Sequence, residues 1–140
     1  MMITAEQFNQ RGIGRLPGHL GLVVTHASAD EMRGELAFRP ELMAPNGFLH
    51  AGSLITLADT LAGYGCVNNL PADAVGFTTV ELKSNHLGTA RDGTIEGVAR
   101  PVHRGRTTQV WDATITHRET GRTLALFRCT QMVLYGKPAG

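Results

Sequence analysis

Between Gly52 and Val67 the chain carries a single charged residue, Asp59, while Leu54, Leu57, Ala58, Leu61, Ala62 and Tyr64 recur at helical spacing. A helix apolar on nearly every side has no face to give to water and must be enclosed by the rest of the fold. Nothing else in the 140 residues has a long helical period. The fold must therefore wrap one central helix, expected over about 50–67.

The wrapping has to come from strands. Leu20–Ala27 and Met32–Phe38 precede the helix, with Met32, Leu36 and Phe38 on one side of the second run. After Pro71 the pattern turns to period two. Thr78, Val80 and Leu82 alternate with Phe77, Thr79 and Glu81, and runs follow at Ile95–Pro101, Thr107–Thr116 and Ala125–Tyr135. Asp92-Gly93, Arg104-Gly105 and Thr120-Gly121 carry turn chemistry and predict a meander of four hairpin-linked strands. A short helix over about 4–11 opens the chain, with Thr4 as N-cap and Gln7 in the capping-box position. The order is α+β, a curved six-stranded antiparallel sheet wrapped around one long helix, as a single domain over 1–140.

Thirteen basic and twelve acidic residues nearly cancel. That balance argues against a nucleic-acid partner or an acidic membrane surface, and leaves room for a local cationic patch. Cys66 and Cys129 sit in apolar surroundings without metal spacing and read as buried free thiols. His19, His26, His86, His103 and His117 form no HxH or HExxH pattern, so no metal is expected. Ser53 lacks a nucleophile elbow and reads as a first-turn helix residue. Residues 1–6 do not resemble a leader, and no run approaches 18 apolar residues, which predicts a cytoplasmic protein.

Asp59 is the chemical anomaly. In an apolar helix a carboxylate is a satisfied polar contact, a residue at the helix edge facing water, or a functional acid or base with a raised pKa. The second anomaly is the helix start, Pro45-Asn46-Gly47-Phe48-Leu49-His50-Ala51-Gly52-Ser53. Free N–H groups and the positive end of the helix dipole can hold a developing oxyanion there, or the glycines simply permit a tight turn. Ala51 and Asp59 are eight residues apart, roughly 12 Å along the axis at 1.5 Å per residue. Both cannot reach one carbonyl from the same helix. If both are catalytic, a two-fold interface must bring Ala51 of one subunit to Asp59 of another.

Asn46 through Gly52, followed by Leu57-Ala58-Asp59, resembles the G-x-x-H-G-G…L-A-[D/E] signature of hotdog-fold acyl-CoA thioesterases, nearest the PaaI-like and 4-hydroxybenzoyl-CoA thioesterase groups. Phe77–Leu82 and Val102–Trp111, similar to a G-R-x-x-x-V-W segment, extend the likeness over about residues 20–135. The resemblance implies hydrolysis of an acyl-CoA, aryl, arylacetyl or short-to-medium, to free acid and CoA. Asp59 then matches the nucleophile or general base, the Ala51 N–H the oxyanion donor, and His50 the motif histidine beside the thioester. Gly47 and Gly52 frame the helix start, while Gly63 reads as allowing a close helix-to-sheet approach, as leaving room beside Asp59 for an acyl group, or as both. Gly105, Arg106, Thr107 and Thr108 match the turn and strand start that meet the CoA phosphates, with Arg104 an added cationic candidate. No cofactor is implied, since CoA is part of the substrate, and the assembly is a homo-oligomer with shared sites, a dimer or a tetramer.

Two positions depart from the pattern. Ala44 stands where an Asn or Gln is usual, six residues before the histidine, which makes Asn46 the candidate replacement. Gly63 stands four residues after the carboxylate, where Ser or Thr is frequent. Two other readings share the fold, an enoyl- or hydroxyacyl-CoA hydratase-dehydratase and a non-catalytic acyl-CoA-binding protein.

Overall fold

The structure is a computed structural model describing residues 1–137; residues 138–140 of the expected domain lie outside the described residues. Helix α1 (Ala5–Gly12) and the short turn α2 (Leu16–His19) lead into β1 (Val23–Ala27) and β2 (Met32–Ala37). A 3-10 turn (Pro40–Leu42) then precedes the long helix α3 (Ala51–Val67), followed by β3 (Ala74–His86), β4 (Thr94–Arg104), β5 (Thr108–His117) and β6 (Thr123–Tyr135). The Thr4 hydroxyl accepts from the Gln7 N–H at 3.2 Å and the Gln7 side chain accepts from the Thr4 N–H at 2.9 Å, the capping box expected at α1. That helix is anchored by Phe8, which is buried and stacks on Tyr64 of α3 with ring centroids 4.2 Å apart. The N–H groups of Leu20, Gly21 and Leu22 close the α2 turn by donating to Leu16 O, Gly18 O and Pro17 O, so β1 starts at Val23 rather than Leu20.

All six strands form one antiparallel sheet in the order β1-β2-β4-β5-β6-β3, and α3 packs on one face of it. This is the hotdog architecture. The meander expected after the helix is corrected at its first step. Strand β3 pairs with β6, not β4, so the 87–93 connection is a crossover and Asp92-Gly93 is not a hairpin turn. The place beside β2 is filled by β4, from Met32↔Ala99 to Ala37↔Thr94, and β3 is left to close the opposite edge. Arg104-Gly105 and Thr120-Gly121 do turn hairpins, β4 to β5 and β5 to β6.

The helix sits close because glycines let it. Gly34 and Gly97 are register partners in β2 and β4, and a Cβ on either would lie 2.9 or 2.8 Å from a methyl of Leu61. On the helix side, a Cβ on Gly65 would overlap the six-membered ring of Trp111. That ring is fully buried and is fixed by its Nε1–H, which donates to Gln109 Oε1 at 2.9 Å. Gly65→Ala is expected to lower stability. Overpacking costs about 1–3 kcal/mol, and an overlap with an immobile ring outweighs the roughly 1 kcal/mol that alanine gains in helix propensity. A lower urea midpoint with an unchanged slope would register it. Trp111, Ala113 and Ile115 face inward together as expected, as do Phe127, Cys129 and Val133 on β6. Cys66 and Cys129 are buried free thiols within this core.

Candidate active site

The loop before α3 is a tight excursion closed by a Met43↔Leu49 bridge. The Ala44 N–H donates to Phe48 O at 2.7 Å and the Gly47 N–H to Ala44 O at 3.0 Å, with Gly47 at φ +85°. Asn46 Oδ1 accepts from the Phe48 N–H at 3.1 Å, so the side-chain oxygen of this candidate residue holds its own loop. His50 is the N-cap. Its Nδ1 accepts from the Gly52 N–H at 2.8 Å, which puts the ring proton on Nε2. The fold-back is possible because Gly52 has no side chain; a Cβ there would lie 2.9 Å from Nδ1. The Ser53 N–H donates to His50 O at 3.0 Å, and its hydroxyl to Leu42 O at 2.9 Å. Of the first three helical N–H groups, only that of exposed Ala51 has no partner among the described residues. A free donor and a dipole end therefore coincide at one point.

Asp59 lies eight residues further along the same helix. Its Oδ1 is buried and has no hydrogen-bond partner, and desolvation pushes the carboxyl above the usual aspartate range. Asp59 lines a cavity of about 260 Å³ walled by Pro17, Tyr64, Val67 and Phe77, with Thr60, Thr79 and Gln131 as further polar members. Gly63 borders this cavity too, and a Cβ on it would come within 3.2 Å of the Phe77 ring, so the missing side chain lets that ring approach the helix closely.

The expected phosphate-binding residues lie elsewhere, at the β4–β5 hairpin. Arg104 donates to Ala29 O, Asp30 Oδ1 and Asn69 Oδ1, near the C-terminal end of α3. Arg106 is paired with Asp73 at 2.8 Å and holds that carboxyl below its ordinary range. The Gly105 N–H donates to Thr108 O at 2.8 Å and Thr107 O accepts from the Val133 N–H at 2.9 Å. All these residues are at least partly exposed, and both arginine pairs are on the surface, where a phosphate could compete for them.

Tyr64, Phe77, Thr79 and Gln131 were not among the sequence-derived site residues. One signal did exist for Gln131, a lone polar residue in the inward stripe Phe127, Cys129, Gln131, Val133. Among the described residues no three His, Cys, Asp or Glu side chains gather in a group that could hold a metal, and no helix is long and apolar enough to cross a membrane.

This combination of an enclosed helix, its free N-terminus and a mid-helix carboxylate defines a class, and comparison with known proteins gives it a family. Residues 46–128 match the family model described as thioesterase superfamily. The 1,4-dihydroxy-2-naphthoyl-CoA hydrolase of Escherichia coli is 33% identical over 135 residues, covering 94% of this chain and 96% of its own. The proofreading thioesterase EntH of Cronobacter sakazakii is 30% identical over 94% of this chain and 95% of its own. A crystal structure of a mutant thioesterase from Pseudomonas aeruginosa superposes with a TM-score of 0.91 at 26% identity, covering 97% of both chains. The chain belongs to the thioesterase superfamily, and it is a thioester hydrolase.

Proposed function

We propose that the chain, acting as one domain over 1–140, hydrolyses an acyl-CoA to free acid and CoA, with the Asp59 carboxylate as general base in a site shared between two copies. The observation that carries this reading is Asp59 itself, a desolvated carboxyl with one buried, unpartnered oxygen, in the wall of a cavity of about 260 Å³. A carboxylate made more basic by burial is suited to take a proton from water. The oxygen of that water bonds to the thioester carbon as the proton passes to Asp59. The resulting oxyanion is held by the Ala51 N–H of the partner copy, and collapse breaks the C–S bond, the thiolate taking the electron pair and a proton. The Nε2–H of that copy's His50, one residue before the donor, is proposed to meet the carbonyl or the leaving sulfur. Tyr64 and Phe77 favour a flat aromatic acyl group, in keeping with the naphthoyl-CoA named for the Escherichia coli relative. Arg104, Arg106 and the Gly105–Thr108 turn are proposed to meet the phosphates, exchanging Asp30 and Asp73 for them.

The second copy is suggested by β3. This edge strand spans 13 residues and exposes Val75, Val80 and Leu82, an unfinished sheet edge that another β3 can complete. Val102, Leu126, Met132 and Leu134, also exposed, offer a further face for joining two dimers into a tetramer.

A panel of aromatic and aliphatic acyl-CoA esters followed by thiol release tests the activity; no thiol from any ester would sink it. Ala51→Pro tests the oxyanion donor. Proline is tolerated at the first helical position, and His50 at φ −67°, ψ 131° already has the extended backbone that a residue before proline prefers. The helix should survive without its N–H at position 51, and kcat should fall about 10²–10³-fold.

A further inference from the structure

We propose that Gln131 is a positioning residue for the hydrolytic water, acting through the hydroxyl of Thr79. The inference rests on Asp59 as general base and adds what holds the second proton of the water. Thr79 on β3 and Gln131 on β6 are direct cross-strand partners. The Thr79 hydroxyl donates to Gln131 Oε1 at 2.7 Å. Gln131 is completely buried, and its amide nitrogen faces the Cys129 sulfur at 3.5 Å. Both side chains border the cavity that Asp59 lines. The Asp59 carboxylate is also close enough to Cys129 to help raise its thiol, after burial, to about 12.

The consequence is one of counting. A hydroxyl has one proton and two lone pairs, and Gln131 takes the proton, so toward the cavity the Thr79 oxygen can only accept. An ionised carboxylate likewise only accepts. A water between them donates one hydrogen to each, and its lone pair is left for the thioester carbon. As the O–C bond forms, one proton passes to Asp59 while Thr79 keeps its hydrogen bond to the other. Without Gln131 the hydroxyl can turn, donate to the water or to Asp59, and occupy the lone pair that should react. This supplies a polar anchor in a site that has Ala44 and Gly63 where side chains of that kind could have stood. A buried amide needs a partner in any case. If satisfaction of the amide were the whole story, a methionine of similar length would serve at position 131 without kinetic effect.

The test compares Gln131→Met, Thr79→Val, Thr79→Ser and the Gln131→Met/Thr79→Val double variant on whichever acyl-CoA ester the wild type turns over, with Asp59→Asn as reference. Gln131→Met should lower kcat about 10-fold and Thr79→Val up to about 100-fold, both with KM unchanged. Thr79→Ser should keep most of the activity, and the double variant should be no worse than Thr79→Val alone. Wild-type kcat in a folded Gln131→Met protein, or losses that multiply in the double variant, would overturn the proposal. If Gln131→Met does not fold, Thr79→Val on the exposed strand decides, because unchanged kcat there overturns it equally. Full activity in Asp59→Asn would instead remove the general base, a different failure. A single turnover in ¹⁸O-water adds a direct readout: the label should enter the acid, and label in Asp59 would mean that the carboxylate itself attacks, leaving Gln131 no water to place.

Discussion

Asp59→Asn is expected to reduce kcat by about 10²–10⁴-fold, the range for losing a positioned general base, and at the same time to make the protein more stable near neutral pH. The two effects share a cause. Burial without a partner raises the Asp59 pKa above its ordinary 3.8. Between the unfolded and folded values the native state binds more protons than the unfolded state, so stability falls as pH rises through that window and stays lower above it. Asparagine removes the ionisation and hence the penalty. Its melting temperature should exceed that of the wild type at neutral pH, and the difference should shrink as acid protonates Asp59. Activity runs the other way: the acidic limb of kcat/KM should lie above the usual aspartate range, because the base works only when ionised. A pH series of thermal melts beside a pH–rate profile measures both. An asparagine variant that is active, or that is less stable at neutral pH and equal in acid, contradicts the assignment.

The double substitution Val80→Lys with Leu82→Lys is expected to yield a folded, inactive monomer. Both side chains are exposed on the edge strand, so charging them leaves the protomer core intact and sets like charges against each other across a two-fold pairing of β3. Separated chains lose more than a point variant does. The Ala51 N–H and Asp59 of one helix stay roughly 12 Å apart, and the contributions of donor and base, about 10²–10³-fold and 10²–10⁴-fold, vanish together. Light scattering should report the monomer mass and thiol release should fall to background; a dimer with full activity would refute the pairing. Complementation gives the positive counterpart. Ala51→Pro and Asp59→Asn chains are each inactive, yet a mixed dimer holds one site with both groups and one with neither. Random reassembly should restore about one quarter of wild-type activity. A site built within one chain would restore none.

What the sequence discloses depends on the range of the interaction behind each feature. The enclosed helix, the capping box at Thr4 and the carboxylate at position 59 follow from local periodicity, and all are found where the residues predict them. The inward set Trp111, Ala113, Ile115 is equally local. Strand order is not. Asp92-Gly93 has the composition of a hairpin turn, but whether β3 lies beside β4 or β6 is decided by β4 filling the place next to β2, a competition invisible along the chain. The candidate site divides in the same way. Ala51, His50 and Asp59 stand out by motif and by charge, whereas Tyr64, Phe77, Thr79 and Gln131 become neighbours only when three elements meet. Arg104 shows the converse. It is conspicuous in sequence as a cation beside a glycine, and in the fold it also ties the end of α3 to the 29–30 turn.

The two cysteines give the protein an internal standard. Cys66 and Cys129 are 0% and 1% exposed, and burial is the leading cause that pushes both thiols up to about 12. At working pH they are shielded from a disulfide dye and carry almost no thiolate to react with it. Colour developing in the presence of native protein and an acyl-CoA ester therefore reports released CoA. Added denaturant would then expose two further equivalents per chain, so a single cuvette reads product first and the number of intact enzyme molecules afterwards.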